Sequence, residues 1–290
     1  MTTLAVVAHR EKLVPEKRAV LRAALAAADL GGARWIDIDK GSDAAKAARK
    51  ALDKGADTVL VCGGDGTVRG VAEALARSGA ALAVMPVGTA NLFAGAFDMS
   101  DDPEQVVGTI VGGRREIIDT GRCGDLGFNV MGGVGFDAGM IDAADDDKER
   151  LGMIAYLRAG AREAREREPF AVKVKVDGDV FFDGEATCVL VGNIGRLKGG
   201  IEAFPDGSAT DGLLDVAVVT AAGMREWAGL MVAALRHRQQ LTGHAELGQG
   251  SSITVRLAKQ HRFELDGGTK GRTKRLDFEV LPASLVVCTS

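Results

Sequence analysis

The chain has 290 residues, a length that fits one large or two ordinary domains and allows a sizeable buried core. Hydrophobic residues make up 46% and charged residues 26%, a balance typical of folded globular proteins and unlike that of disordered chains. The 36 basic and 40 acidic residues give a net charge of −4, so any contact with nucleic acid or an anionic membrane must depend on a local patch.

The first 120 residues alternate short β-branched runs with longer alanine-rich segments. The short runs predict strands at 4–8, 33–38, 58–62 and 81–85. Helical periodicity lies between them, at 15–28, 42–54 and 67–78, and Ser42 is the predicted N-cap of the second helix. Because such alternation gives parallel strands joined by crossovers, we expect a doubly wound α/β domain over 1–120.

After about residue 121 the pattern changes to short strands separated by turns. Strand-like runs occupy 170–176, 180–182, 187–193, 213–219, 252–257, 262–265 and 276–288, and helical periodicity occupies 149–168 and 224–240. The run of short strands predicts an antiparallel β-sandwich-like domain over 121–290. Its final strand is a candidate to pack back toward the first domain, and we expect an active-site cleft between the two domains.

The cysteines and histidines form no metal-binding pattern. Cys62, Cys123, Cys188 and Cys288 lie far apart and mostly in apolar runs, which predicts buried thiols in a reducing compartment. The four histidines are dispersed, which argues against a zinc site. No apolar run reaches a signal-peptide core or the roughly 18–20 residues of a membrane span, so a cytoplasmic protein without a transmembrane segment is expected.

Glycine is the compositional outlier, with 39 residues. Its most informative cluster, Gly63-Gly64-Asp65-Gly66-Thr67, links a buried strand to a helix. Such a loop lets backbone N–H groups and a helix N-terminus approach a phosphate, although glycines alone are also compatible with a tight turn. The spacing matches neither a P-loop nor a dinucleotide fingerprint. Asp65 favours Mg²⁺-nucleotide chemistry, because a carboxylate repels a phosphate unless a cation or a substrate hydroxyl lies between them.

A second loop, Gly88-Thr89-Ala90-Asn91, follows the next predicted strand. In doubly wound sheets ligands bind beyond the carboxyl ends of the strands, and neighbouring strand ends lie side by side. We therefore expect both loops to face one crevice. An ordinary turn in which Asn91 caps a helix is the alternative interpretation of this segment.

Five blocks in a fixed order resemble the diacylglycerol kinase catalytic domain family, which includes bacterial lipid kinases, sphingosine kinases and ceramide kinases. They are Gly63–Thr67, Gly88–Asn91, Asn129–Asp137, Phe204-Pro205 with Asp211–Asp215, and Leu265–Gly267 leading to Val280–Pro282. Each block alone is weak evidence, but the ordered set is specific. The resemblance implies a kinase that uses ATP and Mg²⁺ and transfers the γ-phosphoryl group to a lipid hydroxyl.

The resemblance also implies roles for individual residues. Gly63, Gly64, Asp65, Gly66 and Thr67 would bind the ATP phosphates, and Gly88, Thr89 and Asn91 would complete the nucleotide site. Asp137 would lie near the lipid headgroup.

The block from Asp211 to Asp215 would supply a magnesium site that is structural in the family. Its ligands would be Asp211, the Leu213 carbonyl and Asp215. From the residues alone, a turn with two solvated carboxylates explains the same run, and that alternative stays open.

Three positions depart from the family pattern. Ala8-His9-Arg10 stands where Asn-Pro usually follows the first strand, Thr210 stands where a second aspartate is common, and Gly268 replaces the glutamate of a proposed general base. Phosphoryl transfer depends mainly on positioning and charge neutralisation, while a general base contributes typically about 10²–10⁴-fold. A relocated base is therefore compatible with activity.

Three carboxylates are candidates for that relocated base. Asp65 is the leading candidate because its loop would face the phosphates. Asp266 and Glu264 are weaker candidates, and both are also explained as ordinary polar residues at a strand end.

The leading hypothesis is an ATP-dependent lipid kinase acting on a diacylglycerol, ceramide or sphingoid-base hydroxyl at a membrane surface, with no nucleic-acid partner and with homodimerisation open. One alternative is a nucleotide- or lipid-binding regulatory protein that has lost catalysis, as Gly268 permits. Another is an NAD-kinase-like enzyme, because the Gly-Gly-Asp-Gly-Thr loop is shared with that group.

Several basic or apolar segments are candidates for lipid contact. The arginine-rich helix predicted at 149–168 is amphipathic, but a connecting helix is the favoured interpretation. The apolar residues of the helix predicted at 224–240 form either a stripe that faces the core or a lid over an acyl chain. A basic cluster follows Asp266 and suits phosphates, anionic headgroups or a solvated hairpin; its members are Lys270, Arg272, Lys274 and Arg275.

Overall fold

The computed structural model describes residues 2–135, 168–196, 203–235 and 243–290. They fall into two units: unit 1 comprises Met1–Thr120 with Pro282–Ser290, and unit 2 comprises Gly121–Leu281. The fold class expected from the sequence, an α/β unit together with a β-sandwich unit, is confirmed.

Unit 1 alternates strands and helices as predicted, with boundaries within three residues of the expected ones. Its elements are β1 (Leu4–His9), α1 (Pro15–Ala27), β2 (Arg34–Ile38), α2 (Ala44–Leu52), β3 (Thr58–Gly63), α3 (Asp65–Leu75), β4 (Ala81–Pro86), α4 (Leu92–Ala96) and α5 (Pro103–Gly112). The strands are parallel in the order β4-β3-β1-β2. Their carboxyl ends therefore lie along one edge of the sheet.

The strands β1, β3 and β4 are buried along their whole length, because helices cover both faces of this parallel sheet. The prediction that Ser42 caps the second helix is wrong. A 3-10 turn over Gly41–Asp43 precedes α2, so Asp43 occupies the N-cap position, and no side chain caps the helix there. The short α4 and the longer α5 were not predicted.

Unit 2 is built from antiparallel strands. They are β5 (Arg114–Cys123, beginning in unit 1), β6 (Leu126–Phe128), β7 (Met131–Val134), β8 (Phe170–Val176), β9 (Asp179–Ala186), β10 (Cys188–Gly192), β11 (Leu214–Val219), β12 (Ala245–Gly250), β13 (Ser252–Leu265) and β14 (Gly268–Thr289, which ends in unit 1). One layer has the order β12-β11-β10-β7-β13-β14. Strand β8 pairs antiparallel with the first half of β13 and with β9. The β8–β9 hairpin packs against β12, since Phe181 contacts Gly248 and Val176 contacts Gly250.

Two sequence expectations for unit 2 need correction. The runs at 252–257 and 262–265 form one strand, β13, whose register with β14 shifts between Arg256 and His261. Strands β5, β6, β7 and β12 were not predicted. The helix α6 (Met224–Leu235) is present, and its Trp227 and Leu230 are buried against Val219, as a core-facing stripe requires. The helix predicted at 149–168 lies outside the described residues except for its last residue.

All four cysteines fall within the described ranges, and they are buried and not disulfide-bonded. Burial raises the pKa of the Cys62 thiol to about 12. Among the described helices, none is long and apolar enough to cross a membrane.

Candidate active site

The glycine loop of unit 1 lies where strand β3 ends and helix α3 begins. Gly64 is the N-cap of α3, and Asp65 is its first residue. A Cβ added to Gly88 would lie 2.5 Å from the Cα of Gly64, and one added to Gly64 would lie 3.1 Å from the Cα of Gly88. The two loops predicted to share a crevice are therefore in backbone contact, and a side chain at Gly88 would push them apart.

Asn91 holds the second loop closed. It adopts left-handed backbone geometry with φ 48°. Its Oδ1 accepts the backbone N–H of Gly88 at 2.9 Å, and its Nδ2 donates to the Gly88 carbonyl at 2.8 Å. Because both ends of the amide are used within the loop, the geometry favours a positioning role for Asn91 over direct contact with a nucleotide. Thr89, at the tip of the same loop, is exposed.

Asp65 links the glycine loop to helix α4, which follows the second loop. Its Oδ1 accepts the backbone N–H of Phe93 at 3.3 Å, and the side chain is half-buried. Gly66, the next residue, is exposed, and apart from its two chain neighbours and the α3 backbone no atom lies within 4 Å of the position a Cβ would take. The space at Gly66 is thus open, and the carboxylate of the preceding residue is held at the N-terminus of an 11-residue helix. Positive helix-terminal charge makes this space suited to an anion.

Gly63 and Thr67 pack against each other at the two ends of the glycine loop. The Thr67 side chain is buried, and a Cβ added to Gly63 would lie 2.5 Å from its Cβ. The Thr67 N–H donates to the Gly64 carbonyl at 2.8 Å. This geometry favours a structural role for Thr67 over the predicted contact with phosphates.

Lys12 is a residue of this site that the sequence analysis did not single out. A Cβ on Gly64 would lie 3.0 Å from its Nζ, so the ammonium group lies beside the glycine loop. The available signal was the position of Lys12 just after β1, the strand that pairs with β3 in parallel. His9, in the segment that departs from the family pattern, is 7% exposed and so lies within the fold at the end of β1.

One of the three predicted magnesium ligands of unit 2, Asp215, is a buried carboxylate. Asp215 lies in β11, and its Oδ1 accepts Nε2 of Gln249 at 2.9 Å. Burial, followed by the charges of Asp211 and Asp206, raises the pKa of Asp215 to about 6, although the Gln249 hydrogen bond opposes the shift. Asp211 is exposed, and its Oδ1 accepts the N–H of Leu213 at 2.9 Å.

These oxygen donors have the chemistry of a hard-cation site. Across the described residues, no group of three or more His, Cys, Asp or Glu side chains could hold a metal ion. The candidate donor set is therefore limited to two carboxylates and the Leu213 carbonyl, and a cation would relieve the repulsion between the two carboxylates.

Asp266 is a buried anchor of the β13–β14 turn. Its Oδ2 accepts the N–H of Asn129 at 2.8 Å, and its Oδ1 accepts those of Val130 and Met131 at 2.8 and 3.1 Å. The residue has left-handed backbone geometry with φ 46° and is 4% exposed. A carboxylate engaged by three backbone donors is a poor proton acceptor, so the geometry argues against the predicted general-base role.

The other carboxylate candidate near this turn is also engaged. Oε1 of Glu264 accepts the hydroxyl of Thr269 at 3.1 Å. At Gly268, where the family has a glutamate, an added Cβ would lie 3.1 Å from Nζ of Lys270. The ammonium group of Lys270 therefore lies beside the position that the family's glutamate would occupy. Asp137, the predicted headgroup residue, lies outside the described residues.

Two domain families match the chain in succession. Residues 13–123 match the diacylglycerol kinase catalytic domain, and residues 131–289 match the YegS C-terminal NAD kinase beta sandwich-like domain. The fold thus defines a class of protein in which an α/β unit with a glycine loop is followed by a β-sandwich unit. The chain belongs to the diacylglycerol kinase catalytic domain family.

Similar proteins include two whose names are those of lipid kinases. A "Probable lipid kinase YegS-like" protein of Pseudomonas putida is 34% identical over 204 residues, which cover 68% of each chain. A diacylglycerol kinase of Bacillus subtilis is 29% identical over 78% of this chain and 75% of its own length. An uncharacterized protein of Synechocystis is 33% identical over 80% of this chain, which spans only 54% of that relative.

Solved structures share the fold at low sequence identity. A diacylglycerol kinase of Bacillus anthracis has a TM-score of 0.73 at 22% identity, covering 99% of this chain and 97% of that one. An NAD kinase of Archaeoglobus fulgidus, crystallised with ATP, has a TM-score of 0.55 at 11% identity, covering 99% and 94%. At these identities the likeness establishes the fold alone.

Proposed function

We propose that this kinase transfers the γ-phosphoryl group of ATP to the hydroxyl of a membrane lipid of the diacylglycerol, ceramide or sphingoid-base type. The observation that carries the proposal is the glycine loop of unit 1. Its open space at Gly66 adjoins the N-terminus of α3, and Lys12 supplies a cation beside Gly64. This arrangement suits a polyphosphate better than an uncharged ligand.

In the proposed reaction the lipid hydroxyl oxygen attacks the γ-phosphorus while the bond to the β-phosphate oxygen breaks. Asp65 accepts the hydroxyl proton, and ADP leaves. Backbone donors of the glycine loop and Lys12 stabilise the negative charge on the phosphates. Asp65 is the preferred base because Asp266 is engaged by three backbone donors, whereas Asp65 lies beside the open space.

The remaining parts of the proposal concern unit 2. Asp211, the Leu213 carbonyl and Asp215 would hold Mg²⁺. The ion would neutralise the carboxylate charges of Asp211 and Asp206 that, after burial, raise the pKa of Asp215. Asp137 would lie near the lipid headgroup, as the family resemblance implies. A cytoplasmic location at the membrane surface completes the proposal.

The test uses purified protein, labelled ATP and an acceptor panel of diacylglycerol, ceramide, sphingosine and NAD. We expect Asp65→Asn to lower lipid phosphorylation by about 10²–10⁴-fold, the range of a lost general base. Asp53→Asn is the matched control, because Asp53 is exposed at the end of α2 and makes the same charge change. Full activity of Asp65→Asn would remove Asp65 from catalysis, and transfer to NAD alone would replace the lipid-kinase proposal.

A second function, nucleotide or lipid binding without catalysis, is favoured by one observation, the cation Lys270 beside Gly268. Gly268→Glu distinguishes the two. If the base has been relocated, wild-type activity is robust and Gly268→Glu leaves it within about threefold, because Asp65 already performs the step. A rise from near zero by about 10²-fold or more would identify a degenerate enzyme instead.

A further inference from the structure

A cavity of about 500 Å³ lies within unit 1, beside strand β4 and helix α5. It is lined by residues within the ranges 83–84, 97–100, 105–113 and 288–290, and we call it the α5 cavity. Among these described residues none belongs to the glycine loop or to the loop Gly88–Asn91, so the cavity is separate from the candidate active site. Its volume lies within the range of roughly 300–1,000 Å³ that is typical of small-molecule sites.

The floor of the cavity is apolar. Val84, Val106 and Cys288 line it, and each is at most 4% exposed. Thr289 is also buried, and its hydroxyl donates to Oε1 of Glu116 at 2.9 Å. Because this hydroxyl is already engaged, the floor favours an apolar group over water, which needs several polar partners.

The mouth of the cavity carries a negative charge. Asp98 is exposed, and it is the only Asp, Glu, Lys or Arg among the described residues that line the cavity. Within the described part of the chain its carboxylate forms neither an ion pair nor a hydrogen bond. Its backbone is left-handed, with φ 49°, a geometry that Asp and Asn tolerate better than most residues.

Positive charge acts at the floor. Burial raises the pKa of the Cys288 thiol to about 11, and the charge of Arg115 opposes that rise. Arg115 is held in place by Nη2, which donates to the Ile110 carbonyl at 3.1 Å. A ligand cation is therefore repelled from the floor and attracted to the mouth. There Phe97, the half-buried neighbour of Asp98, adds the attraction of an aromatic ring for a cation.

We propose that the α5 cavity binds a small amine with an apolar body. The ammonium group lies at the mouth beside Asp98 and Phe97, and the apolar body lies on Val84, Val106 and Cys288. Asp98 repels a carboxylate of the same shape, and an alcohol gains no charge interaction. The inference goes beyond the proposed kinase reaction and does not depend on it, because none of the described residues assigned to that reaction lines the cavity.

Isothermal titration calorimetry of the full chain near neutral pH tests the class of ligand. The probes are octylamine, octanol and octanoate, which share one apolar chain and differ in charge. Octylamine is expected to bind most tightly and octanoate least. Asp98→Asn should weaken octylamine binding by about fivefold, the upper range for an exposed ion pair, and should leave octanol binding unchanged. Asp53→Asn, the same charge change at an exposed position after α2, is the control and should bind octylamine as wild type does.

A second variant tests the location of the site. Gly112 lines the cavity at the end of α5, and apart from its chain neighbours and the nearby α5 backbone no atom lies within 4 Å of the position a Cβ would take. Gly112→Leu therefore places a side chain in the cavity. It should weaken the binding of both octylamine and octanol by about tenfold or more, because overpacking costs that much. The control is Gly229→Leu, the same change at an exposed glycine of α6 with open space around it.

Gly112→Leu should melt no lower than wild type, because leucine favours a helix over glycine, so weak binding cannot be assigned to unfolding. Failure of wild type to bind octylamine would overturn the proposal. So would octanoate binding as tight as that of octylamine. Octylamine binding in Asp98→Asn or Gly112→Leu that equals binding in the matched control would place the ligand elsewhere and reject the assigned site.

Discussion

Unit 1 builds its candidate site from two short loops rich in glycine, whereas unit 2 builds its polar centres from buried carboxylates. In unit 1, Asn91 closes a loop through a residue three positions away, and Asp65 reaches Phe93 across 28 positions. In unit 2, Asp266 binds backbone up to 137 residues distant. A glycine loop can be recognised in a sequence because its glycines lie close together along the chain. A carboxylate satisfied by remote donors is recognisable only once the chain is folded.

The largest expected effect tests the anchoring role of unit 2. Asp266→Asn should lower the free energy of unfolding by about 3 kcal/mol, because hydrogen bonds to a charged acceptor contribute about 1.5–3 kcal/mol and the amide nitrogen would face a backbone donor. Urea unfolding measures the loss. Asp183→Asn is the control, since its exposed ion pair with Lys173 contributes only about 0–1 kcal/mol. Equal losses in both variants would contradict a structural role for Asp266.

An intermediate effect tests the backbone contact of unit 1. Gly88→Ala places a Cβ against the Gly64 backbone and should cost about 1–3 kcal/mol of stability. The displaced loop should also lower phosphoryl transfer by about 10²-fold. Thermal melting and the labelled-ATP assay measure the two losses.

The control for this change is Gly108→Ala, at an exposed position in α5 with open space around it. It should leave activity unchanged and raise stability by about 0.4–1 kcal/mol, because alanine restricts the unfolded chain. Wild-type activity in Gly88→Ala would show that the loop contact does not position the site.

The smallest effect concerns the pH dependence of unit 2. Asp215 has a pKa of about 6 in the fold, above the ordinary value of 3.8, so folding favours its protonated form. Its contribution to stability is complete below about pH 4 and is lost as pH rises through about 6. Without divalent cations, Asp215→Asn should therefore flatten the fall in melting temperature between these pH values.

The response of the melting temperature to Mg²⁺ tests the role of the same carboxylate. At pH 7.5 Mg²⁺ should raise the melting temperature of wild type but not of Asp215→Asn, because the cation binds the ionised carboxylate and not the neutral amide. Asp183→Asn, which removes an exposed carboxylate, should behave as wild type. An identical pH slope in Asp215→Asn and wild type would contradict the assigned titration, and an equal Mg²⁺ response would contradict the metal site.

Sequence patterns predict the structure correctly where interactions between neighbouring residues determine it. The buried runs of β1, β3 and β4 follow from a sheet covered on both faces, and the glycine loop follows from a strand joined directly to a helix. The sequence is less informative where a remote contact decides the structure. Asp266 is a candidate base by its place in the motif, whereas its three backbone partners favour an anchoring role.

By itself the sequence determined the fold class, the family and the location of the phosphate-type loop, because periodicity and contiguous motifs are properties of neighbouring residues. Tertiary structure alone decided the contact of Gly64 with Gly88 and the approach of Lys12 to the loop. Each depends on strand order and register, which bring together residues that the linear chain keeps apart.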